Sequence, residues 1–225
     1  DIAMVLIEPI QGSNPRDDIG PFLQKLRQVC TEQDILLGFD EVITGGRLGL
    51  GSGQAYFGIE ADIATYGKTL GGGLPIGIIG GKSNVMQCIR SESPIFMGGT
   101  FSTNPLSLTA GITMMNLLID NPEIYQKINN SSQVLRGEIN DFCQQNQINA
   151  HMMGAASLSR LVFCKKQISS RRERDTYETP WGKQAEFYQL LKHQGVHIGG
   201  NRINFMSTMH TTEVIEKVIT AYKNS

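Results

Sequence analysis

Ile35-Leu36-Leu37-Gly38-Phe39-Asp40 and Ala61-Asp62-Ile63-Ala64-Thr65-Tyr66-Gly67-Lys68 are the two stretches that decide the architecture. The first is an unbroken apolar run that stops at an acid, and the second a mostly apolar run that stops at a lysine. Short runs without alternation predict strands buried on both faces, as in a parallel sheet. Ala3-Met4-Val5-Leu6-Ile7 is another such run and ends at Glu8. Residues 76–79 predict a fourth strand, which the short glycine turn before it allows to run the other way. Between the first two strands, Leu23, Leu26, Val29 and Cys30 recur at helical spacing, with Asp17-Asp18 and Pro21 as start signals. Strands alternating with helices predict an α/β fold in which parallel strands predominate.

Beyond Pro105 the pattern changes. Residues 106–119 read as an apolar helix, Asn121-Pro122 as a break, and 124–142 as a long amphipathic helix. Residues 158–163 and 203–207 predict strands, 184–193 a helix, and Val214, Val218, Ile219 and Tyr222 mark a closing helix. Residues 169–175, the most polar stretch, predict a loop. The expected organisation is therefore an α/β region over 1–120 and a small α+β domain over 121–225. The chain opens on a strand without a starting methionine, which suggests a fragment whose upstream portion is missing.

Composition narrows the function classes. The 225 residues are 40% hydrophobic and 18% charged, with net charge -1. That is a globular composition long enough to bury a core, and it favours neither a nucleic-acid partner nor an anionic membrane. The apolar runs are too short for a membrane span. Cys30, Cys88, Cys143 and Cys164 form no C-x-x-C pair and lie near no histidine at ligand spacing. They predict four buried thiols in a reducing, cytoplasmic compartment. Gly81-Lys82-Ser83 has the ending of a phosphate loop, but the pattern needs glycine where Ile76 stands. No residue cluster suggests a metal.

Glu8, Asp40 and Lys68 each stand at or just after the end of a predicted strand. Open parallel sheets bind ligands outside the carboxyl ends of their strands, so the three are expected on one rim. A lysine and an aspartate there suit carbonyl chemistry, since an amine attacks an aldehyde only when neutral and its site must favour that form. Gly98-Gly99-Thr100 and Ser102 offer N–H and hydroxyl donors to a phosphate. Blander readings stand beside these: Lys68 as a strand-end lysine, Asp40-Glu41 as an acidic pair at a helix start, Thr100 as a turn residue, His210 as a cap. Arg160 and Arg202 suit either a carboxylate or phosphate contact or structural pairing.

Four motifs occur in one order: Glu8-Pro9-Ile10-Gln11-Gly12, Phe39-Asp40-Glu41-Val42-Ile43-Thr44-Gly45, Ala61 through Lys68, and Gly99-Thr100-Phe101. Together they resemble class III aminotransferases of the glutamate-1-semialdehyde aminomutase kind. The resemblance implies a fold-type-I PLP-dependent transferase, of which this chain is the latter part of the large domain plus the small C-terminal domain. It implies pyridoxal 5'-phosphate as cofactor, Lys68 as Schiff-base lysine and proton shuttle, Asp40 as partner of the pyridine nitrogen, and Val42 packed on the ring. Thr100 would bind the cofactor phosphate of a neighbouring subunit, which implies a homodimer, and Glu8 and Gln11 would lie near the ring hydroxyl and substrate. The segment 200–211 resembles aminotransferase domains of hybrid polyketide–nonribosomal peptide synthetases, which aminate a β-ketoacyl thioester held on a carrier protein. The implied reaction is amino-group transfer from an amino donor to a keto or aldehyde acceptor. An intramolecular aminomutase and a truncated non-catalytic fragment are the alternatives. Where the family has Gly-Phe-Arg after the aspartate motif, this sequence has Gly45-Gly46-Arg47, which puts local packing in question.

Overall fold

The computed structural model describes residues 1–89, 95–200 and 202–225. The chain divides into two compact units, Asp1–Ile10 with Asp18–Pro122, and Gln11–Asp17 with Glu123–Ser225.

In the first unit, β1 (Met4–Ile7), β2 (Leu36–Asp40), β3 (Ile63–Gly67) and β4 (Gly77–Gly81) form one sheet in that order. β1, β2 and β3 are parallel, with Ile7 opposite Phe39 and Asp40 opposite Thr65. β4 is antiparallel to β3. Parallel neighbours need a long crossover, and β3 is instead followed by a single 3-10 turn, Lys68–Gly71, with Gly72 in the left-handed region. The chain reverses there, as the glycine turn predicted. α1 (Gly20–Glu32), α2 (Ser52–Phe57), α3 (Ser83–Met86) and α4 (Pro105–Asp120) complete the unit. Leu23 and Cys30 of α1 pack with Leu37, Phe39 and Ala64 of the sheet.

Two expectations fail here. Asp17-Asp18 do not cap α1: Ile19 holds the cap position with no side-chain bond, and proline sets the first turn. Nor is β1 buried on both faces. It is an edge strand, with Met4 43% and Leu6 54% exposed.

Asp62 joins the layers of this unit. Oδ2 accepts from Leu37 N at 2.8 Å and Arg27 Nη1 at 2.6 Å, and Oδ1 accepts from Lys82 Nζ at 2.8 Å. Burial alone would raise this carboxyl, but the three donors hold it down to about 2.

The second unit contains β5 (His151–Ala155), β6 (Leu158–Val162) and β7 (Asn204–Phe205) in an antiparallel sheet of that order. α5 (Glu123–Gln145) and α8 (Thr212–Asn224) bury Leu135, Ile139 and Ile219 against Met152 and Leu161 of the sheet, and Leu191 of α7 (Trp181–His193) joins them. Arg136 of α5 donates through Nη1 to Ala156 O at 3.0 Å, Leu158 O at 3.1 Å and Ser132 Oγ at 2.7 Å, bracing the β5–β6 hairpin. Asn140 pairs both main-chain groups of Met152 on the edge strand β5.

Residues 169–175 are not a loop. α6 (Arg171–Tyr177) begins there, capped by Ser170 Oγ, which accepts from Glu173 N at 3.1 Å. Glu173 reaches back to Ser169 N at 2.7 Å, so both ends of the first turn are satisfied. The strand expected over 203–207 shrinks to Asn204–Phe205. Of the four cysteines, Cys30, Cys143 and Cys164 are buried, whereas Cys88 is exposed because the 3-10 turn Gln87–Ile89 buries nothing. No described helix is long and apolar enough to cross a membrane.

Candidate active site

The parallel ladder of the first unit delivers three charged residues to one rim. Glu8 follows β1, Asp40 ends β2, and Lys68 follows β3 directly. Asp40 stands opposite Thr65 in the ladder, so Lys68 leaves the neighbouring strand three residues further on. The expectation of a common rim for these three therefore matches the register.

Asp40 is half-buried, and its Oδ1 accepts from Val42 N at 3.0 Å and from Thr65 Oγ1 at 3.3 Å. Both bonds use one oxygen, and Oδ2 accepts none among the described residues. The carboxylate is thus held in direction while one oxygen stays available to an outside donor. Val42, also half-buried, lies beside β3: its Cγ1 is 3.8 Å from where a Cβ on Gly67 would stand.

Lys68 is exposed, with φ 46 in the left-handed region. Side chains other than glycine's rarely adopt that conformation, which costs about 1–3 kcal/mol and is kept where the surroundings impose it. Gly67 before it is extended, and Gly72 after it takes φ 60, so the lysine starts a tight turn that projects off the strand. Arg47 Nη2 approaches Thr69 Oγ1 at 3.4 Å, and burial lowers the Arg47 guanidinium's pKa.

Gly46 answers the packing question raised by Gly45-Gly46-Arg47. It has φ +64, and a Cβ there would stand 2.4 Å from Leu70 Cδ2. Leu70 fills the place a larger residue would need, and Gly46 N donates to Ser52 Oγ at 3.1 Å.

The other residues singled out lie elsewhere. Thr100 stands on an exposed turn ahead of α4, where Ser102 N donates to Gly99 O at 2.9 Å. Gln11 is half-buried in the second unit, its carbonyl accepting from Asn14 N at 3.0 Å. Arg160 and Arg202, read either as ligand contacts or as structural pairs, are engaged within the second unit. Arg160 Nη2 lies 3.3 Å from Glu178 Oε2, with both side chains under a tenth exposed. Burial lowers the pKa of this guanidinium. The Arg202 guanidinium lies 3.5 Å over the Trp181 ring and donates to Gln184 Oε1 at 2.8 Å. His210 Nδ1 accepts from Ser207 N at 3.0 Å in the turn before α8, whose cap is Thr211. Of the segment 200–211, Asn201 lies outside the described residues.

Sequence reading missed Thr65, the hydroxyl that orients Asp40. It also missed the depth of Glu41, which is fully buried beside Asp40. No alternation along β3 flagged the first, since burial over Ile63–Gly67 follows no period of two. For Glu41 the local signal was an acid followed at once by Val42 and Ile43.

Known proteins resemble this chain along its whole length. A glutamate-1-semialdehyde 2,1-aminomutase from Alkaliphilus oremlandii is 37% identical over all of this chain, which covers 52% of that protein. A β-phenylalanine aminotransferase from Variovorax paradoxus is 28% identical with a TM-score of 0.89, over 99% of this chain and 51% of that one. A transaminase structure with PLP bound is 26% identical with a TM-score of 0.84, over 100% and 51% of the two chains. The chain thus spans about half the length of the curated relatives it matches. Its fold is that of the fold-type-I aminotransferases, with a mixed sheet. A family model, aminotransferase class-III, matches residues 1–222. This chain belongs to the class III aminotransferase family.

Proposed function

We propose that this chain contributes the lysine rim of a pyridoxal-phosphate enzyme that transfers an amino group from an amino donor to a keto or aldehyde acceptor. The observation that carries the reading is the shared exit of Asp40 and Lys68 from adjacent parallel strands. The donor set suits the cofactor: an exposed amine for its aldehyde, an oxygen of half-buried Asp40 with no donor among the described residues for its ring nitrogen, and N–H and hydroxyl groups over 98–102 for the phosphate of a neighbouring site. A related transaminase carries PLP in its structure.

In this reading Lys68 holds the cofactor through Nζ and, once released, moves the substrate proton. Asp40 Oδ2 accepts from the ring nitrogen and keeps it protonated. Val42 gives the ring an apolar cover that excludes water from one face. Glu8 serves the ring hydroxyl and the substrate. Thr100 donates its hydroxyl to the phosphate of a neighbouring subunit's site, which makes the working protein a homodimer. When bound, pyridoxal phosphate acts as an electron sink for the bond broken beside the amino nitrogen and stores the amino group between substrates.

The segment 200–211 supports a narrower acceptor, a β-ketoacyl thioester held on a carrier protein. A second reading, the intramolecular aminomutase, is favoured by the 37%-identical aminomutase relative. The two differ in product. Incubation of the whole protein with an amino donor and a keto acceptor should release a free keto acid from the donor in the transferase reading. Turnover without any keto acid released would instead support the mutase. Full turnover by Lys68→Ala would contradict both.

A further inference from the structure

We propose that Glu41 is the positioning residue for Asp40: its buried carboxylate locks the corner after β2 and so sets the direction from which Asp40 meets the cofactor. The proposal rests on the reading above for what Asp40 meets, but not for the lock itself.

Glu41 is fully buried, which a carboxylate tolerates only when donors surround it. Three do. Thr44 Oγ1 donates to Oε2 at 2.5 Å, Gly53 N to Oε2 at 2.8 Å, and Gln54 N to Oε1 at 3.1 Å. The latter two are first-turn amides of α2, so the carboxylate takes the place of a cap that no α2 side chain supplies. Its main chain is held as well: Glu41 N donates to Thr65 O at 2.8 Å, and Gly45 N to Glu41 O at 2.7 Å.

The same contact reaches the exit of β1. A Cβ on Gly53 would stand 2.6 Å from Pro9 and 3.0 Å from Glu41 Oε2, so α2 sits directly on the residue that follows Glu8. Glu41 therefore joins the chain leaving β2 to β3 through Thr65, and it caps the helix α2 that rests on the chain leaving β1. Successive side chains in an extended segment leave on opposite sides. With Glu41 pinned inward, Asp40 is left on the half-exposed side, against Thr65 and Val42 N. Burial raises the Glu41 carboxyl against the pull of its three donors.

The test is Glu41→Gln, which keeps size and removes the charge. In the cofactor-free chain, exchange of the Val42 amide, which donates to Asp40 Oδ1, should speed at least tenfold, with the Leu37 amide unchanged. With pyridoxal phosphate added, the bound cofactor's absorption should shift in the direction that Asp40→Asn shifts it. A purely structural role would lower the melting temperature and leave that band in place. Unchanged Val42 exchange in folded Glu41→Gln, or faster exchange with an unmoved band, overturns the proposal. Where Glu41→Gln does not fold, Thr44→Val and Thr44→Ser decide by the same readouts: faster Val42 exchange in the first and recovery in the second support the lock, and no change in Thr44→Val overturns it. Failure of the wild-type chain to take up the cofactor would contradict the functional reading instead, and the exchange result would then decide the lock alone.

Discussion

The Thr65 hydroxyl donates to Asp40 Oδ1 at 3.3 Å across the parallel ladder that delivers Lys68 three residues later. The strand that orients the acid is the strand that presents the amine, so the two groups cannot drift independently. Thr65→Val keeps the β-branched shape and removes the donor. A hydrogen bond of this kind contributes about 1 kcal/mol, so the variant should hold pyridoxal phosphate up to roughly fivefold more weakly and melt no more than about 4 °C lower. Titration followed by absorption measures it.

Asp62 should carry acid sensitivity in the first unit. Its folded pKa of about 2 lies below its ordinary value of 3.8. A depressed carboxyl stabilises the fold above its unfolded pKa, and that share is lost as pH falls from about 4 to about 2. Asp62→Asn should cost about 2 kcal/mol at neutral pH and lose less stability than wild type over that acid window. Denaturant titrations at several pH values give both numbers.

Gly46 stands where the resemblance to class III aminotransferases implies a phenylalanine. Its φ of +64 and the 2.4 Å approach of Leu70 leave no room for that side chain. Gly46→Phe should destabilise by about 2 kcal/mol or more, through backbone strain and overpacking. Adding Leu70→Ala should return part of the overpacking share but none of the strain. A double-mutant cycle on denaturant midpoints separates them.

Arg136 should matter more than its position on a helix suggests. Removing it leaves Ala156 O and Leu158 O, behind a turn where Ala156 itself has φ 48, without this donor. Arg136→Met should cost about 2–3 kcal/mol, and Arg136→Lys should recover less than half, because the lysine stem ends short of the Nη1 position that reaches both carbonyls. Thermal unfolding of the three proteins compares them.

Much of the fold was legible because its elements carry strong local signals. The β2 and β3 runs ending at Asp40 and Lys68 announced themselves, and the short glycine turn announced the reversal into β4. α6 was missed although Ser170 and Glu173 stand at capping-box spacing, because polar composition was weighed above cap chemistry. β5 was missed because His151, Gly154 and Ala155 have weak strand propensity, and pairing to β6 overrides it. At the site, Glu8, Asp40 and Lys68 could be placed by strand-end logic alone. The service of Glu41 to amides twelve and thirteen residues away could not, because it depends on how α2 folds back.

The assignment of Lys68 is tested most directly by covalent trapping. The chain would be incubated with pyridoxal phosphate, reduced with borohydride, digested and mapped by mass. The account predicts a pyridoxyl group on the peptide carrying Lys68, and loss of that label without gain elsewhere in Lys68→Ala. Label spread over the exposed lysines, with Lys68 no more modified than the rest, would contradict it.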